Sequence, residues 1–180
     1  ILTNALNFYD GINGQSCLIF ICCFTYLSIR SDFNLFYLTC IFLILIVMFQ
    51  NLKNMLFLGD GGIYLMSAIL SISLIYEHNI HKNIIYADEI FFLLLLPGLD
   101  LLRLTISRSL NKKNPLKGDR KHLHHLLIDK FSLTFSNIFL LLMSILPLVL
   151  FIFLDLNFFI VCFIFLIIYG FSIQYLKSTR

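Results

Sequence analysis

Apolar residues in this chain run in blocks too long for the core of a soluble domain, and this constrains its fold more than any other feature. Six blocks stand out, at about 15–29, 34–50, 62–76, 89–102, 134–154 and 156–176. A helix crosses the hydrocarbon core of a bilayer with roughly 17–25 apolar residues. The first, third and fourth blocks are shorter, at about 14 to 15 residues, and either extend into their flanks or end within the membrane. Of the 180 residues 59% are hydrophobic, the mean hydropathy is +0.92 and only 13% are charged, against roughly 25% in a soluble domain. Too little chain remains outside the blocks for a sizeable soluble domain. The sequence therefore predicts an all-α, polytopic membrane protein, with about six transmembrane helices in one membrane-embedded domain over residues 1–180. The chain opens on Ile1 rather than Met, three residues before its first motif, so an N-terminal portion is expected to be missing. Cys17, Cys22, Cys23, Cys40 and Cys162 lie in or beside apolar blocks without C-x-x-C spacing, and read as small hydrophobes rather than disulfides or metal ligands.

Segments between spans alternate sides. One side takes 1–14, 51–61, 103–133 and 177–180, with 11 of the Lys and Arg residues; the other takes 30–33, 77–88 and 155, with Arg30 and Lys82. Cationic residues collect on the cytoplasmic side, which places the first set there. Every chemically suggestive stretch belongs to that set, so residues distant in sequence are expected at one site on one membrane face. The opposite loops carry charge but no comparable cluster.

Three stretches carry the chemistry. Asn4 to Gly14 alternates amides, a carboxylate and glycines. Glycine allows positive φ and close backbone approach to a ligand, and Asn7, Asp10 and Asn13 can bind a base, a ribose or a metal-bound water. The same residue types also make a plain turn and helix start. Phe57 to Gly62 sets Asp60 between glycines at the mouth of a span. It is a hard oxygen ligand suited to Mg²⁺, or equally a helix N-cap, and Phe57 either stacks on a base or anchors the interface. In Asn114 to Leu127, Asp119 is placed to cap a short helix running to about Phe131, with Leu123, Leu126, Leu127 and Phe131 on one face. His122, His125 and Asp129 fall on an adjacent face and His124 on the far flank of the apolar stripe. Histidine binds metal, donates to phosphate or moves a proton near neutral pH, and Arg120 can contact phosphate in bidentate fashion. A basic interfacial helix drawn to anionic lipid fits the same residues. Asp100 and Arg103 close the fourth span one turn apart, as a functional pair or a simple i,i+3 ion pair. Pro97 and Pro147 are expected to kink their helices.

Together these stretches resemble the polyprenyl-phosphate N-acetylhexosamine-1-phosphate transferases, the family of the GlcNAc-1-phosphate transferases and the MurNAc-pentapeptide phosphotransferase. Asn4 to Gly14 is similar to N-A-x-N-x-x-D-G-x-[DN]-G, Phe57 to Asp60 to F-[ML]-G-D, and Asp119 to His125 to D-[RK]-x-H-[IL]-H-H, the form of the GlcNAc-1-phosphate branch; Asp100 with Arg103 and Arg108 fits an aspartate–arginine stretch. The resemblance implies transfer of a sugar-1-phosphate, an N-acetylhexosamine-1-phosphate by the histidine motif, from a UDP-sugar to polyprenyl phosphate. UMP is released at the cytoplasmic face of a bacterial inner membrane, in cell-envelope polysaccharide synthesis. It further implies that Asp60 binds Mg²⁺, with Mn²⁺ as a substitute, and that Asn7, Asp10 and Asn13 hold the nucleotide sugar with Phe57 near the uracil. Arg120, His122, His124 and His125 would contact the diphosphate or assist transfer. The family's paired-aspartate motif is absent from this sequence, and Gly61-Gly62-Ile63 replaces its small residue, Gly and Ser. The partners implied are the UDP-sugar, polyprenyl phosphate and membrane lipid, with a homodimer left open and no nucleic acid.

Such a reaction asks a protein mainly for positioning and charge neutralisation, and eight Lys and Arg between 103 and 130 favour anions. The alternative is a transporter or channel fragment with a basic cytoplasmic loop, which would place polar residues at broken helices near the midplane, where these blocks are almost wholly apolar. A structural subunit binding a partner through the basic loop leaves Asp10, Asp60 and the histidines unexplained.

Overall fold

The computed structural model describes residues 2–80, 85–112 and 120–178, and among them every regular element is a helix. In chain order these are α1 (Leu2–Tyr9), α2 (Gln15–Arg30), α3 (Leu35–Leu52), α4 (Gly59–Ile80), α5 (Ala87–Leu93), α6 (Leu95–Leu110), α7 (Leu123–Ile128), α8 (Leu133–Phe153) and α9 (Phe158–Ser178). They form two compact units, Ile1–Phe91 and Phe92–Arg180.

Among the described residues four helices are long and apolar enough to cross a membrane: α3, α4 over Gly59–Asn79, α8 and α9. The α5–α6 pair, bent by 64°, is a fifth if taken as one broken span. The expectation of about six spans is thus reduced to four or five. The first block is the difference: α2 has 16 residues, about 24 Å at 1.5 Å per residue, against a core of roughly 30 Å. Large apolar side chains such as Phe36, Phe42, Leu43, Phe49, Leu142, Phe163 and Phe171 are exposed along the long helices. A surface of that kind needs lipid against it, and the chain is built as a membrane protein.

The bend has a local cause. Pro97 occupies the third position of α6, lacks the N–H that would bond the Leu93 carbonyl, and crowds that carbonyl with its ring. Pro147 lies inside α8 without interrupting it.

In the first unit α2 is the interior helix, packed on α3 and α4 while α1 packs on α4. Phe20, Cys23, Phe24 and Leu27 of α2 are fully buried. By contrast, α3 buries only Tyr37, Ile44 and Asn51, a single seam recurring every seven residues. In the second unit α7 lies on α8 and α9, which also pack on each other, and α6 packs on α8. The buried stripe of α9 is Val161, Phe165, Tyr169, Ile173 and Leu176; that of α6 includes Leu96, Asp100, Leu104 and Arg108. Both follow the three-to-four-residue spacing of one helix face. Asp100 and Arg108 thus face inward, and α6 runs past residue 102, so Asp100 sits within the helix rather than at its end.

The histidine helix is shorter than the sequence predicts. It begins at Leu123, with His122 at its N-cap in extended backbone (φ −61, ψ 152). The cap position is thus His122 rather than the expected Asp119, which lies outside the described residues. The apolar stripe is present in part: Leu123, Leu126 and Leu127 are buried, but α7 ends at Ile128, before Phe131.

Candidate functional site

Two of the three stretches meet at one end of the first unit. Gly14, at φ +87, is the N-cap of α2, and its N–H donates to Asn51 Oδ1 at 2.6 Å. Asn51 in turn donates through Nδ2 to the Leu56 carbonyl at 2.9 Å. Asn13 Nδ2 donates to Asn54 Oδ1 at 2.6 Å, with Asn54 at φ +57, a region Asn tolerates better than most residues. Asn7 Nδ2 donates to Asp60 Oδ1 at 2.9 Å. The turn into α4 passes through Gly59 at φ +62, where a side chain would be strained. Asp60 is then in the first turn of α4, where the helix dipole favours a carboxylate.

The electrostatics of this end come from two acids. Asp10 is partly buried and accepts from Ser16 Oγ at 2.5 Å. Burial pushes its carboxyl above the ordinary 3.8; the Ser16 bond opposes this, and the charge of Asp60 adds to it. Asp60 itself is exposed, as is Phe57 beside it, 72% accessible. Two acids this close attract a cation. Among the described residues no group of three or more His, Cys, Asp or Glu forms a ready cage for a metal.

The third stretch belongs to the second unit and is organised by Asp100. The Asp100 carboxylate is 2% exposed. Its Oδ1 accepts from Arg103 Nη2 at 2.8 Å and from Tyr169 OH at 2.6 Å. Its Oδ2 lies 2.8 Å from His122 Nδ1, and the Leu123 N–H approaches both oxygens at 3.3 and 3.4 Å. Because His122 provides no side-chain cap, Asp100 caps α7 from another helix, satisfying one of its first N–H groups. Arg103 also donates through Nε to Tyr169 OH at 2.6 Å and through Nη2 to the Lys121 carbonyl at 2.8 Å. The i,i+3 ion pair expected on α6 is present, and it is one edge of this larger hub.

The three imidazoles form one continuous group. His122 stacks on His124 with ring centres 5.3 Å apart and planes 7° off parallel, and His124 meets His125 edge-on at 4.3 Å. The sequence placed His124 on the far flank of a helix shared with His122. That placement fails because His122 precedes the helix in extended backbone and follows no helical wheel. His124 is the most buried of the three. Burial, with His125 and His122 nearby, pushes its pKa down to about 3, so at neutral pH it is an uncharged ring. Arg120 is exposed and pairs with Asp129 at 3.5 Å.

The opposite end of the first unit holds a polar cluster that the sequence did not predict. Arg30, at the last residue of α2, pairs with buried Glu89 at 3.4 Å, and Glu89 also accepts from the Tyr86 N–H at 2.8 Å. Tyr37 OH donates to buried Glu77 at 2.6 Å. These bonds tie α2 to the start of α5 and α3 to α4. Also missing from the sequence reading are Asn51, Asn54 and Ser16 beside the first two stretches and Tyr169 in the hub. Tyr169 had a usable signal: it falls on the apolar stripe of α9, and a buried tyrosine hydroxyl needs a partner.

Comparisons of the chain with protein-family models, with curated proteins and with solved structures return no match.

Proposed function

We propose that the chain is the membrane-embedded part of a transferase that moves a sugar-1-phosphate, an N-acetylhexosamine-1-phosphate by its motifs, from a UDP-sugar to polyprenyl phosphate with release of UMP. The observation that carries the reading is the bond between Asn7 and Asp60, 53 residues apart in sequence. It brings the amide-and-glycine stretch to the glycine-flanked carboxylate, as a site for a nucleotide sugar requires. In this reading Asn7, Asp10 and Asn13 hold the nucleotide sugar, Phe57 offers its exposed ring to the uracil, and Asp60 with Asp10 beside it would hold Mg²⁺. When bound, the ion neutralises diphosphate oxygens that carboxylates alone would repel.

In the second unit, Arg120 and His125 supply donors for phosphate oxygens, and His122, whose Nδ1 is bonded to Asp100, assists transfer. His124, uncharged at neutral pH, serves as a neutral hydrogen-bonding and stacking ring. In this reading the Asp10 and Asp60 end faces the cytoplasm, where a nucleotide sugar is available; the Lys and Arg residues near these stretches support that side. The test is UMP release from UDP-GlcNAc in membranes that contain the full-length protein and added polyprenyl phosphate. Mg²⁺-dependent release is expected; none, from protein shown to be folded, overturns the reading.

A further inference from the structure

We infer that Asp100 and Tyr169 are positioning residues that hold the proton of His122 on Nδ1 and so leave Nε2 as a proton acceptor; only the identity of what Nε2 acts on rests on the transferase reading. The argument begins with donors and acceptors. Arg103 is permanently charged, and the carboxylate it pairs with at 2.8 Å accepts hydrogen bonds but has none to give. His122 Nδ1 lies 2.8 Å from Asp100 Oδ2, so Nδ1 must carry the hydrogen. In a neutral imidazole the lone pair then falls on Nε2.

Tyr169 determines which carboxylate oxygen is available. Its hydroxyl accepts from Arg103 Nε and donates to Asp100 Oδ1, both at 2.6 Å. With Arg103 Nη2 on the same oxygen, Oδ1 is engaged from two sides and Oδ2 is left to His122. The backbone completes the arrangement: extended φ and ψ at His122 turn its ring back toward α6 instead of along α7. The groups around the ring are Asp100 and Arg103 from α6, Tyr169 from α9, and His124 and His125 from α7. Of the histidine neighbours, His124 adds no charge above its pKa of about 3.

On the transferase reading, Nε2 takes the proton of a monoprotonated lipid phosphate as an oxygen of that phosphate bonds to the sugar-bearing phosphorus. The bond from that phosphorus to the bridging oxygen breaks, and UMP leaves with the electron pair. Asp100 stays ionised and balances the imidazolium, a division of labour known from other carboxylate–histidine pairs.

The experiment is nitrogen NMR at pH 8 on the full-length protein, labelled with ¹⁵N-histidine in lipid nanodiscs, with His122→Asn to assign the signals. The inference expects His122 protonated on Nδ1 in the wild type, a shift toward Nε2–H in Asp100→Asn, and mixed tautomers in Tyr169→Phe. Turnover in Tyr169→Phe should fall at least tenfold, with KM for the UDP-sugar within twofold. A wild-type spectrum showing Nε2–H, or the same spectrum in wild type and Asp100→Asn, overturns it. Unchanged turnover in Tyr169→Phe removes Tyr169 from the role. A wild type that releases no UMP sinks the transferase reading, and the spectrum alone then decides the tautomer.

Discussion

Replacing Asp100 with Asn keeps the size of the side chain and removes half of its accepting capacity. Four donors reach the carboxylate: Arg103, Tyr169, His122 and the Leu123 N–H. An amide has one acceptor oxygen, and its NH₂ turns two hydrogens toward whichever donors it faces. If the amide oxygen keeps Arg103 and Tyr169, the NH₂ confronts His122 Nδ1–H. One or two buried donors then lose their acceptor, at about 1–3 kcal/mol each. Arg103 loses its counter-ion, and breaking a buried pair costs about 3–5 kcal/mol. These terms overlap, and Arg103 retains Tyr169 and the Lys121 carbonyl, so a loss of about 3–4 kcal/mol is expected. Tyr169→Phe removes one donor and one acceptor, at about 1–3 kcal/mol. Because Tyr169 and Asp100 share a hydrogen bond, the double variant should fall short of additivity by about 0.5–3 kcal/mol. The assay is reversible unfolding in mixed micelles followed by circular dichroism, since the chain contains no Trp to report by fluorescence. An Asp100→Asn variant within about 0.5 kcal/mol of the wild type, the range of ordinary surface changes, would refute the account of Asp100 as the hub of the second unit.

Three further outcomes are expected. Asp60→Asn should abolish transfer while the protein still inserts and folds, measured by UMP release beside a circular dichroism spectrum; normal turnover removes Asp60 from the metal site. Asp10, whose folded pKa lies above 3.8, binds its proton more tightly folded than unfolded, so its contribution is full below pH 3.8 and is lost as pH rises through the folded value. Asp10→Asn should therefore raise stability at pH 7 and make no difference well below pH 3.8; a variant less stable at pH 7 contradicts the raised pKa. For His124 the sign is opposite. Its folded pKa of about 3 lies below the ordinary 6.5, so the unfolded chain takes up the proton first and stability is lost as pH falls from 6.5 toward 3. His124→Leu should flatten that part of the stability curve, and an unchanged slope shows that His124 is not the group responsible.

The turns of the first cluster were legible because glycine marks them: Gly14 and Gly59 take the positive φ that glycine adopts without strain. The bonds of Asn7 to Asp60 and of Asn13 to Asn54 cross 53 and 41 residues of sequence, and those particular pairings were not legible. The second cluster was not, because its organising residue reaches it from elsewhere in the chain. Asp100 resembles half of an i,i+3 pair until α7 and α9 are packed against α6. Tyr169 reads as one more interfacial aromatic until the stripe of α9 is laid against a partner. Glu77 reads as a loop charge because the apolar block stops at 76, whereas α4 runs on to Ile80 and carries it inward; Glu89 is the first residue of the next block and is buried within α5. The wheel drawn through His122 and His124 assumed a helix three residues longer at its start than the chain forms.

The unequal burial of α2 and α3 has a mechanical consequence. Most of α3 is left uncovered by the protein, so a bilayer thicker or thinner than its 18 residues would tilt or shift it, at a cost of fractions of a kcal/mol per ångström. Enclosed by its neighbours, α2 is shielded from that strain. The two helices are tied where Asn51 accepts from Gly14, at the end that holds Asp10 and Asp60. Strain that a bilayer puts on α3 would therefore reach the acidic end through Asn51.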